Sequence, residues 1–448
     1  MRARLACLAG CILAGCAGPR GRTEQPTFPL PSPTDAQSPD ERLGERPRVE
    51  VQWEDGLSLA EALALAMAQS PRLRAVRRDL AIAEGQRTAA GQWPFNPTLD
   101  SSIQRTFPLG QHEGSYSLGL SQQFQTGGQR GHQIAVADAG IERTRSVISD
   151  TERRVAADVA TAWYEALFAQ DRVALAERNL EVAQQVLAAA QARFDAKQIP
   201  EVELNLVRLD RERLGLELER LRSDRVLALV RLTASLGEPG REGLLLTGQL
   251  TAPEIPPVVR AQVLDAAVRR RPDVKALQHA LEGAEAQVGL EEARVWPDVE
   301  LGLEYQWGVD RIGGFTDRDH AVGLELRFPL PFINRRQGEI AVARAQVERL
   351  AADLAAALRQ VELELDLALQ RREIAARTLE AYDTRLSSLS QRNITELERA
   401  YRAGEVDTLA VLRAREDFNR VAEGRLEALL EVHRARVELE AAMGGAHE

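Results

Sequence analysis

The apolar residues between positions 155 and 194 follow a heptad pattern with alternating steps of four and three residues. The members of this series are Val155, Val159, Ala162, Ala166, Ala169, Val173, Ala176, Leu180, Ala183, Leu187, Ala190 and Phe194. An apolar seam of this length is typical of a coiled coil, and its many alanines let a partner helix approach closely. The pattern predicts one long helix over residues 129–198, about 105 Å in length at about 1.5 Å of rise per residue.

Other parts of the chain alternate between apolar and polar residues, which is typical of half-buried β-strands. The alternation covers residues 298–307 and returns at residues 321–328, after a turn rich in glycine and aspartate at residues 310–319. Such a pair of runs predicts a β-hairpin. The first half of the chain repeats the pattern at residues 99–107 and 116–124. Each run has the length of a transmembrane strand, about 10 residues. The alternative is an ordinary four-stranded sheet that packs on the helices.

The order of features in the first half recurs in the second half, at an interval that rises from 201 to 207 residues. The matching pairs are Pro71 and Pro272, Trp93 and Trp296, Phe124 and Phe328, Ile134 and Ile340, Phe194 and Tyr401, and Gly237 and Gly444. A tandem duplication explains this order. We expect a first repeat at 55–239, with a hairpin at about 98–126 and a long helix at about 129–198. A linker at 240–257 leads to a second repeat at 258–448, with a hairpin at about 298–329 and a long helix at about 335–402.

The N-terminus has the pattern of a secretory signal, in which basic residues precede an apolar run at residues 5–14. This run is too short for a membrane-spanning helix, which needs about 20 apolar residues. It ends in the sequence Leu13-Ala-Gly-Cys16, which resembles the lipobox of bacterial lipoproteins. We therefore expect residues 1–15 to be a lipoprotein signal peptide and Cys16 to carry the lipid. An ordinary signal peptide is the alternative. The proline-rich residues 16–54 are expected to form an extended tether.

Composition narrows the functional classes. The net charge is −10, and basic residues alternate with acidic ones without forming a patch, so no nucleic-acid partner is expected. The three cysteines all lie within the first 16 residues and the six histidines are scattered, so neither a disulfide framework nor a metal site is predicted. The sequence contains no G-x-S-x-G motif and no glycine-rich phosphate loop. We expect no enzyme activity and no cofactor apart from the covalent lipid.

The predicted strands and coiled-coil seams cannot be satisfied within one copy of the chain. Four strands are too few to close a barrel, which needs about eight strands even when side chains fill it. An open sheet edge cannot lie in lipid, because its backbone groups would remain unpaired. We therefore expect identical chains to assemble, so that their strands close one barrel and their helices continue it. Polar residues on the inner face of the strands predict a water-filled interior.

The duplicated order of helix, hairpin, long helix and helix over residues 55–445 resembles the TolC-like outer-membrane factors, the exit ducts of tripartite efflux pumps and type I secretion systems. Two motifs look closest to the heavy-metal (cobalt–zinc–cadmium) efflux branch. They are GGQRGHQIAVA at residues 127–137 and PLPFINRRQGEIAVA at residues 329–343. The resemblance implies a mainly α fold with a small β part. In it, a homotrimer forms a twelve-stranded transmembrane β-barrel continued by a periplasmic twelve-helix α-barrel.

The same resemblance implies a passive exit channel that is lipid-anchored in the cell outer membrane and has a large periplasmic part. The implied partners are a periplasmic adaptor protein, an inner-membrane RND pump and outer-membrane lipid, and the implied cargo is heavy-metal cations. Two alternatives remain open at this point. The same fold could serve drug efflux or type I protein secretion, or the chain could be a periplasmic coiled-coil scaffold without a pore.

In the resembling family, two helix turns form the periplasmic tip that docks the adaptor, and here these turns lie at residues 195–203 and 401–408. Gly404 matches the family's turn glycine, and Lys197 stands at the equivalent position of the first repeat. The resemblance makes Lys197, Gly404 and Glu405 candidates for contact with the adaptor.

Family members commonly carry acids six and nine residues after the turn glycine, where this chain has Ala410 and Arg413. The sixth position of the first repeat is Glu203, so the usual acidic ring is altered. The candidate gate residues are therefore Glu203, Asp407 and Arg413. One hypothesis is that Arg413 pairs with an acid of a neighbouring subunit and latches the closed tip. The alternative is that all three are surface charges with local partners.

Overall fold

A computed structural model describes residues 56–106, 113–238, 244–312, 315–403 and 405–445. The expected signal peptide, Cys16, the tether and Gly404 lie outside the described residues. The first repeat contains α1 (Leu59–Gln69), α2 (Pro71–Gly91), β1 (Thr98–Thr106), β2 (Glu113–Phe124), α3 (Gln129–Asp195) and α4 (Glu201–Leu236). The second repeat contains α5 (Arg260–Arg270), α6 (Pro272–Ala293), β3 (Val299–Ile312), β4 (Phe315–Arg327), α7 (Gln337–Ala381), a π-helical segment (Tyr382–Leu386), α8 (Ser387–Ala403) and α9 (Thr408–Ala442).

Local sequence signals set the ends of several helices. Before α1, the Glu61 N–H donates to the Ser58 hydroxyl at 3.3 Å, and the Ser58 N–H donates to the Glu61 carboxylate at 2.9 Å, a complete capping box. At the other end of each repeat, Gly237 and Gly444 follow α4 and α9 with φ of +81° and +78°. Only glycine adopts this left-handed conformation without strain, so both repeats end with the same turn.

The long helices form two hairpins, in which α3 packs against α4, and α7 and α8 pack against α9. The heptad seam of α3 faces its neighbours, since seven of its members are buried: Val155, Val159, Ala166, Ala169, Val173, Ala183 and Ala190. This burial agrees with the sequence pattern, because a stripe with a period of 3.5 residues stays on one side of a helix.

The largest apolar core lies midway along the long helices, where both repeats meet. Trp163 of α3 is at its centre, and its indole N–H donates to the Leu57 carbonyl at 3.2 Å. Around it pack Leu65 of α1, Leu236 of α4 and Leu429 of α9, each at most 1% exposed. One core shared by α1, α3, α4 and α9 joins the two repeats into a single folded unit.

The two long helices differ in one respect. α3 runs without interruption over 67 residues, whereas the corresponding helix of the second repeat is broken into α7, the π-helical segment and α8. The strands β3 and β4 also extend further than the sequence indicates, because pairing continues from Asp310↔Asp317 to Ile312↔Phe315 within the expected turn.

The predicted fold class is confirmed, since the described chain is mainly helical with one small antiparallel sheet. Among the described residues, no helix combines the length and the hydropathy that a membrane span requires.

Candidate functional site: the membrane sheet and the helical tip

The four strands form one antiparallel sheet in the order β1-β2-β3-β4. The register places Leu99 opposite Leu120, Leu120 opposite Leu303, and Leu303 opposite Leu324. Because side chains alternate along each strand, these four leucines lie on one face of the sheet. The central β2–β3 pair therefore joins the hairpins of the two repeats so that their apolar residues lie on the same face of the sheet.

One face of the sheet is apolar and exposed in the protomer. Its members are Leu99, Ile103, Leu118, Leu120, Leu301, Leu303, Val322, Leu324 and Leu326, each more than 40% exposed. An exposed apolar patch of this extent marks a surface that contacts lipid or another protein.

The apolar face carries an aromatic cluster towards the turn end of the hairpins. The rings of Tyr116 and Trp307 stack with centroids 5.2 Å apart, and His320 stacks beyond Trp307. The Tyr305 hydroxyl and His320 Nδ1 are 2.6 Å apart. Aromatic side chains with one polar atom are typical of the belt where a membrane protein crosses the lipid headgroups.

The opposite face of the sheet is polar. The hydroxyls of Ser102 and Ser117 lie 2.9 Å apart across β1 and β2. Arg327 donates to Glu300 at 3.2 Å and to Glu325 on its own strand, while Glu304 accepts from Gln306 at 3.1 Å. The face also carries Asp100. In the half of the sheet nearer the long helices, the described charged side chains of this face are therefore four acids and one base.

Gln129 fixes the junction where β2 gives way to the long helix α3. Its side chain is 2% exposed; the amide oxygen accepts from the Gly127 N–H at 2.9 Å, and the amide nitrogen donates to the Trp296 carbonyl at 3.3 Å. Gly127 approaches the second repeat so closely that a β-carbon there would lie 2.8 Å from Trp296 Cβ and would collide with the Ala293 carbonyl. Gly127 and Gln129 of the motif at 127–137 thus hold the first repeat against the second at the end of the sheet nearest the long helices.

The first tip turn ends α3 with a Schellman motif. Lys197 has φ of +59°, its N–H donates to the Phe194 carbonyl at 2.8 Å, and the Gln198 N–H donates to the Arg193 carbonyl at 2.9 Å. In the second repeat the Glu405 N–H donates to the Ala400 carbonyl at 2.9 Å, which is the equivalent bond. The two turns are therefore built alike, with Lys197 exposed at the first and Glu405 exposed at the second.

The gate candidates Glu203 and Asp407 lie close together, although they come from different repeats. Asp407 caps α9 by accepting from the Ala410 N–H at 2.8 Å. The next residue, Thr408, is 2% exposed and donates from its hydroxyl to Glu203 at 2.8 Å. Sequence reasoning missed Thr408, because the partners are 205 positions apart and nothing in either segment indicates the other.

Arg413 does not join this contact. It is exposed, and within the described residues it makes no hydrogen bond or ion pair in the protomer. Two residues further along α9, Arg415 pairs with Glu398 of α8 at 2.8 Å and faces the groove between α4 and α9. In the same groove, burial raises the pKa of Asp210 above its ordinary value, and the positive charges of Arg213 and Arg415 offset only part of this rise. The groove is therefore lined by charges of both signs.

Comparison with known proteins decides the family. The model of the outer membrane efflux protein family matches residues 62–238 and 263–445, one match for each repeat. The chain belongs to the outer membrane efflux protein family. The nickel and cobalt resistance protein CnrC of Cupriavidus metallidurans is 30% identical over 324 residues, which cover 70% of this chain and 71% of CnrC. The cobalt-zinc-cadmium resistance protein CzcC of the same organism is 26% identical over 293 residues, 65% of this chain and 67% of CzcC.

Solved structures agree on the fold of this outer membrane efflux protein. A crystal structure of CusC superposes with a TM-score of 0.71 and 18% identity, covering 90% of this chain and 98% of CusC. The predicted recognition as an outer-membrane factor of the heavy-metal type is confirmed, and so are the predicted outer-membrane location and exit-channel function. An outer-membrane location with a large periplasmic part agrees with the exposed apolar face of the sheet and with the length of the helices.

Proposed function

We propose that three copies of this efflux protein form one continuous tube, through which an inner-membrane RND pump and a periplasmic adaptor export heavy-metal cations. The observation that carries the proposal is the pair of free sheet edges. β1 and β4 are the outer strands of the described sheet, and they run antiparallel to each other. In lipid both edges must be paired, so β4 of one copy pairs with β1 of the next until the barrel closes.

The two repeats indicate where the neighbouring copy packs. The helix α6 packs against α3, and its residues Ala276, Ala280, Gly283 and Gln287 are half-buried. The residues 201 positions earlier, on α2, are Ala75, Asp79, Ile82 and Gln86, and all of them are exposed. A surface that a neighbouring helix covers in one repeat but that is exposed in the other indicates a partner helix from another copy of the chain.

The long helices show the complementary difference. On α3, Val136, Ala139 and Ser146 are half-buried and Asp150 is buried, whereas 206 positions later on α7 the residues Val342, Ala345, Ala352 and Ala356 are exposed. Since α3 packs against α6, the bare face of α7 fits the bare face of α2 from the next copy. The same contact then occurs within and between subunits, as a closed head-to-tail ring requires.

One contact within the protomer provides a template for the interface. A β-carbon on Gly283 would lie 3.4 Å from Ala139 Cβ. The equivalent residues are Ile82 and Ala345, so Ile82 of one copy faces Ala345 of the next. Ile82 is 60% exposed in the protomer, and burying an isoleucine side chain contributes about 1.5–3 kcal/mol.

Disulfide cross-linking tests this interface, because the only native cysteines lie within the first 16 residues. The double variant Ile82→Cys/Ala345→Cys is expected to yield covalent trimers on oxidation. The control Ile82→Cys/Ala351→Cys should yield monomers, since Ala351 is exposed but points about 120° away from Ala345 around α7. Monomers from both pairs, or equal cross-linking by both, would contradict the proposed ring.

The proposed cargo rests on the relatives, whose names specify resistance to nickel, cobalt, zinc and cadmium. The acidic inner face of the sheet supports a cationic cargo, since it places more acids than bases along the path. Deleting the gene should sensitise the host to divalent metal cations and leave its tolerance of organic drugs unchanged. Sensitivity to drugs alone would favour the alternative cargo.

The tip and the N-terminus complete the proposal. The exposed turns at Lys197 and Glu405, together with Gly404, dock the adaptor, and Glu203, Asp407 and Arg413 surround the narrow end of the tube. Cys16 anchors the tether to the outer membrane by its covalent lipid. Replacing Cys16 with alanine should abolish incorporation of labelled palmitate, and continued labelling would exclude this residue as the acceptor.

A further inference from the structure

The packing positions of the two long helices keep a constant interval along their membrane-side half. The residues Val361, Leu365, Ala368, Ala375 and Leu379 of α7 lie 206 positions after Val155, Val159, Ala162, Ala169 and Val173 of α3. Nearer the tip the interval is 207, since Ile394 and Tyr401 follow Leu187 and Phe194. The second long helix therefore contains one extra residue between Leu379 and Ile394.

The π-helical segment Tyr382–Leu386 lies within this interval. Its defining bond runs from the Ser387 N–H to the Tyr382 carbonyl, five residues back, instead of the four of an α-helix. A single inserted residue can be absorbed in this way, because the wider turn leaves the helix on both sides in its original register. The extra residue and the π turn are thus the same feature, and α3 shows the helix without it.

We propose that this π turn is a hinge, about which α8 and the tip half of α9 move relative to the first hairpin when the tube opens. The inference rests on the proposed function, because it specifies how the tip of that tube moves. Movement at this point is favoured by the weaker backbone bonding of a π turn, which is found often at functional sites.

The neighbouring helix accommodates the hinge. Tyr382, the first residue of the π turn, packs against the main core and occupies the space beside Gly424 of α9, where a β-carbon would lie 2.7 Å from the tyrosine Cζ. Asp383 accepts a 2.5 Å hydrogen bond from Arg425. The membrane-side end of the hinge is therefore anchored in the core, and the moving part is the tip side.

The two hairpins differ in packing on the tip side of the hinge. The first hairpin has a cluster of buried apolar residues there, formed by Ala190, Ile199, Leu204 and Val207. Among the described residues on the tip side of the second hairpin, Ile394, Tyr401 and Val411 are buried but belong to no such cluster. The first hairpin is consequently the fixed frame, and the second is the movable one.

Exchangeable polar contacts hold the movable part to the frame. They include the Glu203–Thr408 hydrogen bond and the ion pair between Arg213 and Glu416 at 3.6 Å, whose side chains are 70% and 51% exposed. Between the two hairpins lies an open groove of about 880 Å³, whose lining includes Arg213 and Glu416. An exposed ion pair contributes little to stability because water screens its charges, so the tip side can separate without exposing a large core.

Deletion of one residue tests the assignment of the insertion. Deleting Thr384 should convert the π turn into continuous α-helix with the register of α3, so the protein should keep its assembly and its thermal stability within a few degrees. The matched control deletes Arg178, 206 positions earlier, in unbroken helix. That deletion rotates the tip-side part of α3 by about 100° relative to its membrane-side part. The packing positions of the two parts then no longer lie on one side of the helix, so the deletion should abolish assembly. Equal loss of assembly in both variants would overturn the proposal.

Distance measurements on the assembled protein test the hinge itself, independently of any cargo or pump. Spin labels at Gln198→Cys and Glu405→Cys report the separation of the two tip turns, and labels at Asp158→Cys and Arg359→Cys report the membrane-side half. Deleting Thr384 should narrow the distribution of distances between the two tip labels at least twofold. It should leave the distribution of distances between the two membrane-side labels unchanged. An unchanged tip distribution would overturn the hinge. A wild-type protein that assembles and shows the broad tip distribution but exports no metal would instead contradict the proposed function alone.

Discussion

The hydroxyl of Thr408 donates a 2.8 Å hydrogen bond to the carboxylate of Glu203, and this bond joins the tip turns of the two repeats. Thr408 also lies 3.4 Å from the hydroxyl of Tyr401, whose ring is covered by the guanidinium of Arg193 at 4.8 Å. The contact therefore ties the first hairpin to the second at the end of the long helices that is farthest from the sheet. In the proposed channel it stabilises the closed arrangement.

Replacing Thr408 with valine should favour the open tip. Valine keeps the shape of threonine but removes the donor, and hydrogen bonds to charged groups contribute about 1.5–3 kcal/mol. A loss of about 1.4 kcal/mol shifts the ratio of closed to open channels about tenfold. Conductance in planar bilayers without adaptor should rise accordingly. In the control Thr395→Val, the hydroxyl that is removed makes its described hydrogen bonds with Gln391 of the same helix α8, so the conductance should stay unchanged.

Replacing Arg413 with alanine tests the hypothesis of a latch between subunits. Arg413 has no partner among the described residues of its own protomer, so the variant should change protomer stability by less than about 0.5 kcal/mol. If Arg413 pairs with an acid of the next copy, the closed channel should become leaky. Arg399 is a matched control, because it is likewise exposed on the second hairpin. Equal conductance of wild type and Arg413→Ala would remove the latch from the gating mechanism.

The parts of the fold that could be predicted from sequence are those governed by a repeating period. The heptad seam of α3 and the alternation of the strands each place one type of side chain on one side of an element, whatever it packs against. The π turn left a trace too, since the interval between the repeats changes from 206 to 207 across it. That trace did not specify the conformation, because an extra residue can also be absorbed by a loop or a change of register.

The contacts between distant residues could not be predicted in the same way. Glu203 was a candidate because of its position in the resembling family, but its partner Thr408 is set by how the two hairpins lie side by side. Gln129 lies inside the motif at residues 127–137, yet its burial depends on the close approach of Trp296 from the second repeat. Such contacts arise from tertiary packing, which no local pattern encodes.

Gly127→Ala should destabilise the junction below the sheet. The new methyl group would meet the Ala293 carbonyl and Trp296 Cβ, and overpacking of this kind costs about 1–3 kcal/mol. The matched control is Gly131→Ala, four residues further on, where a β-carbon meets nothing within 4 Å. Gly131 lies within α3, so alanine should stabilise the helix there by up to about 1 kcal/mol. Thermal unfolding of both variants in detergent should show opposite shifts, and equal shifts would contradict the close packing.

The Arg271 cluster should make the protein sensitive to acid. Arg271 is 4% exposed and donates to both oxygens of Asp273 at 3.0 and 2.6 Å and to Glu364 at 2.5 Å. Burial opposes ionisation of both acids, but the hydrogen bonds from Arg271 outweigh it and lower the pKa of Asp273 and of Glu364 below the ordinary values of 3.8 and 4.5. Carboxyl groups with lowered pKa contribute stability at neutral pH that is lost as pH falls through the folded-state values.

Asp273→Asn removes one of these titrating groups and weakens the pairing of Arg271. The variant should be less stable than wild type at pH 7, by about 1–3 kcal/mol, and the difference should shrink below pH 4. Thermal unfolding between pH 7 and pH 3 measures both effects. Arg260 provides a control, because it pairs with Asp366 and Glu362 at the surface, where water screens the charges and Asp366→Asn should change stability much less than Asp273→Asn. A constant difference between wild type and Asp273→Asn at all pH values would contradict the assigned linkage.

The polar face of the sheet should make the proposed channel prefer cations, with Glu304 as one determinant. Arg327 pairs with Glu300 and with Glu325, which offsets part of their charge, whereas the hydrogen bond that Glu304 accepts within the described residues comes from the neutral Gln306. Glu304→Gln should therefore move the reversal potential under a salt gradient towards zero. The effect should be largest in dilute salt, because charges are screened over about 30 Å at 0.01 M but about 3 Å at 1 M.

Arg327→Gln supplies the test with the opposite sign. Removing the base leaves Glu300 and Glu325 unopposed on the same face, so the preference for cations should increase and the reversal potential should move away from zero. Because both variants lie on one face of one sheet, a general disturbance of the barrel would shift them in the same direction. Opposite shifts that fade together in concentrated salt would therefore place the path of the ions along the polar face, and shifts of the same sign would contradict it.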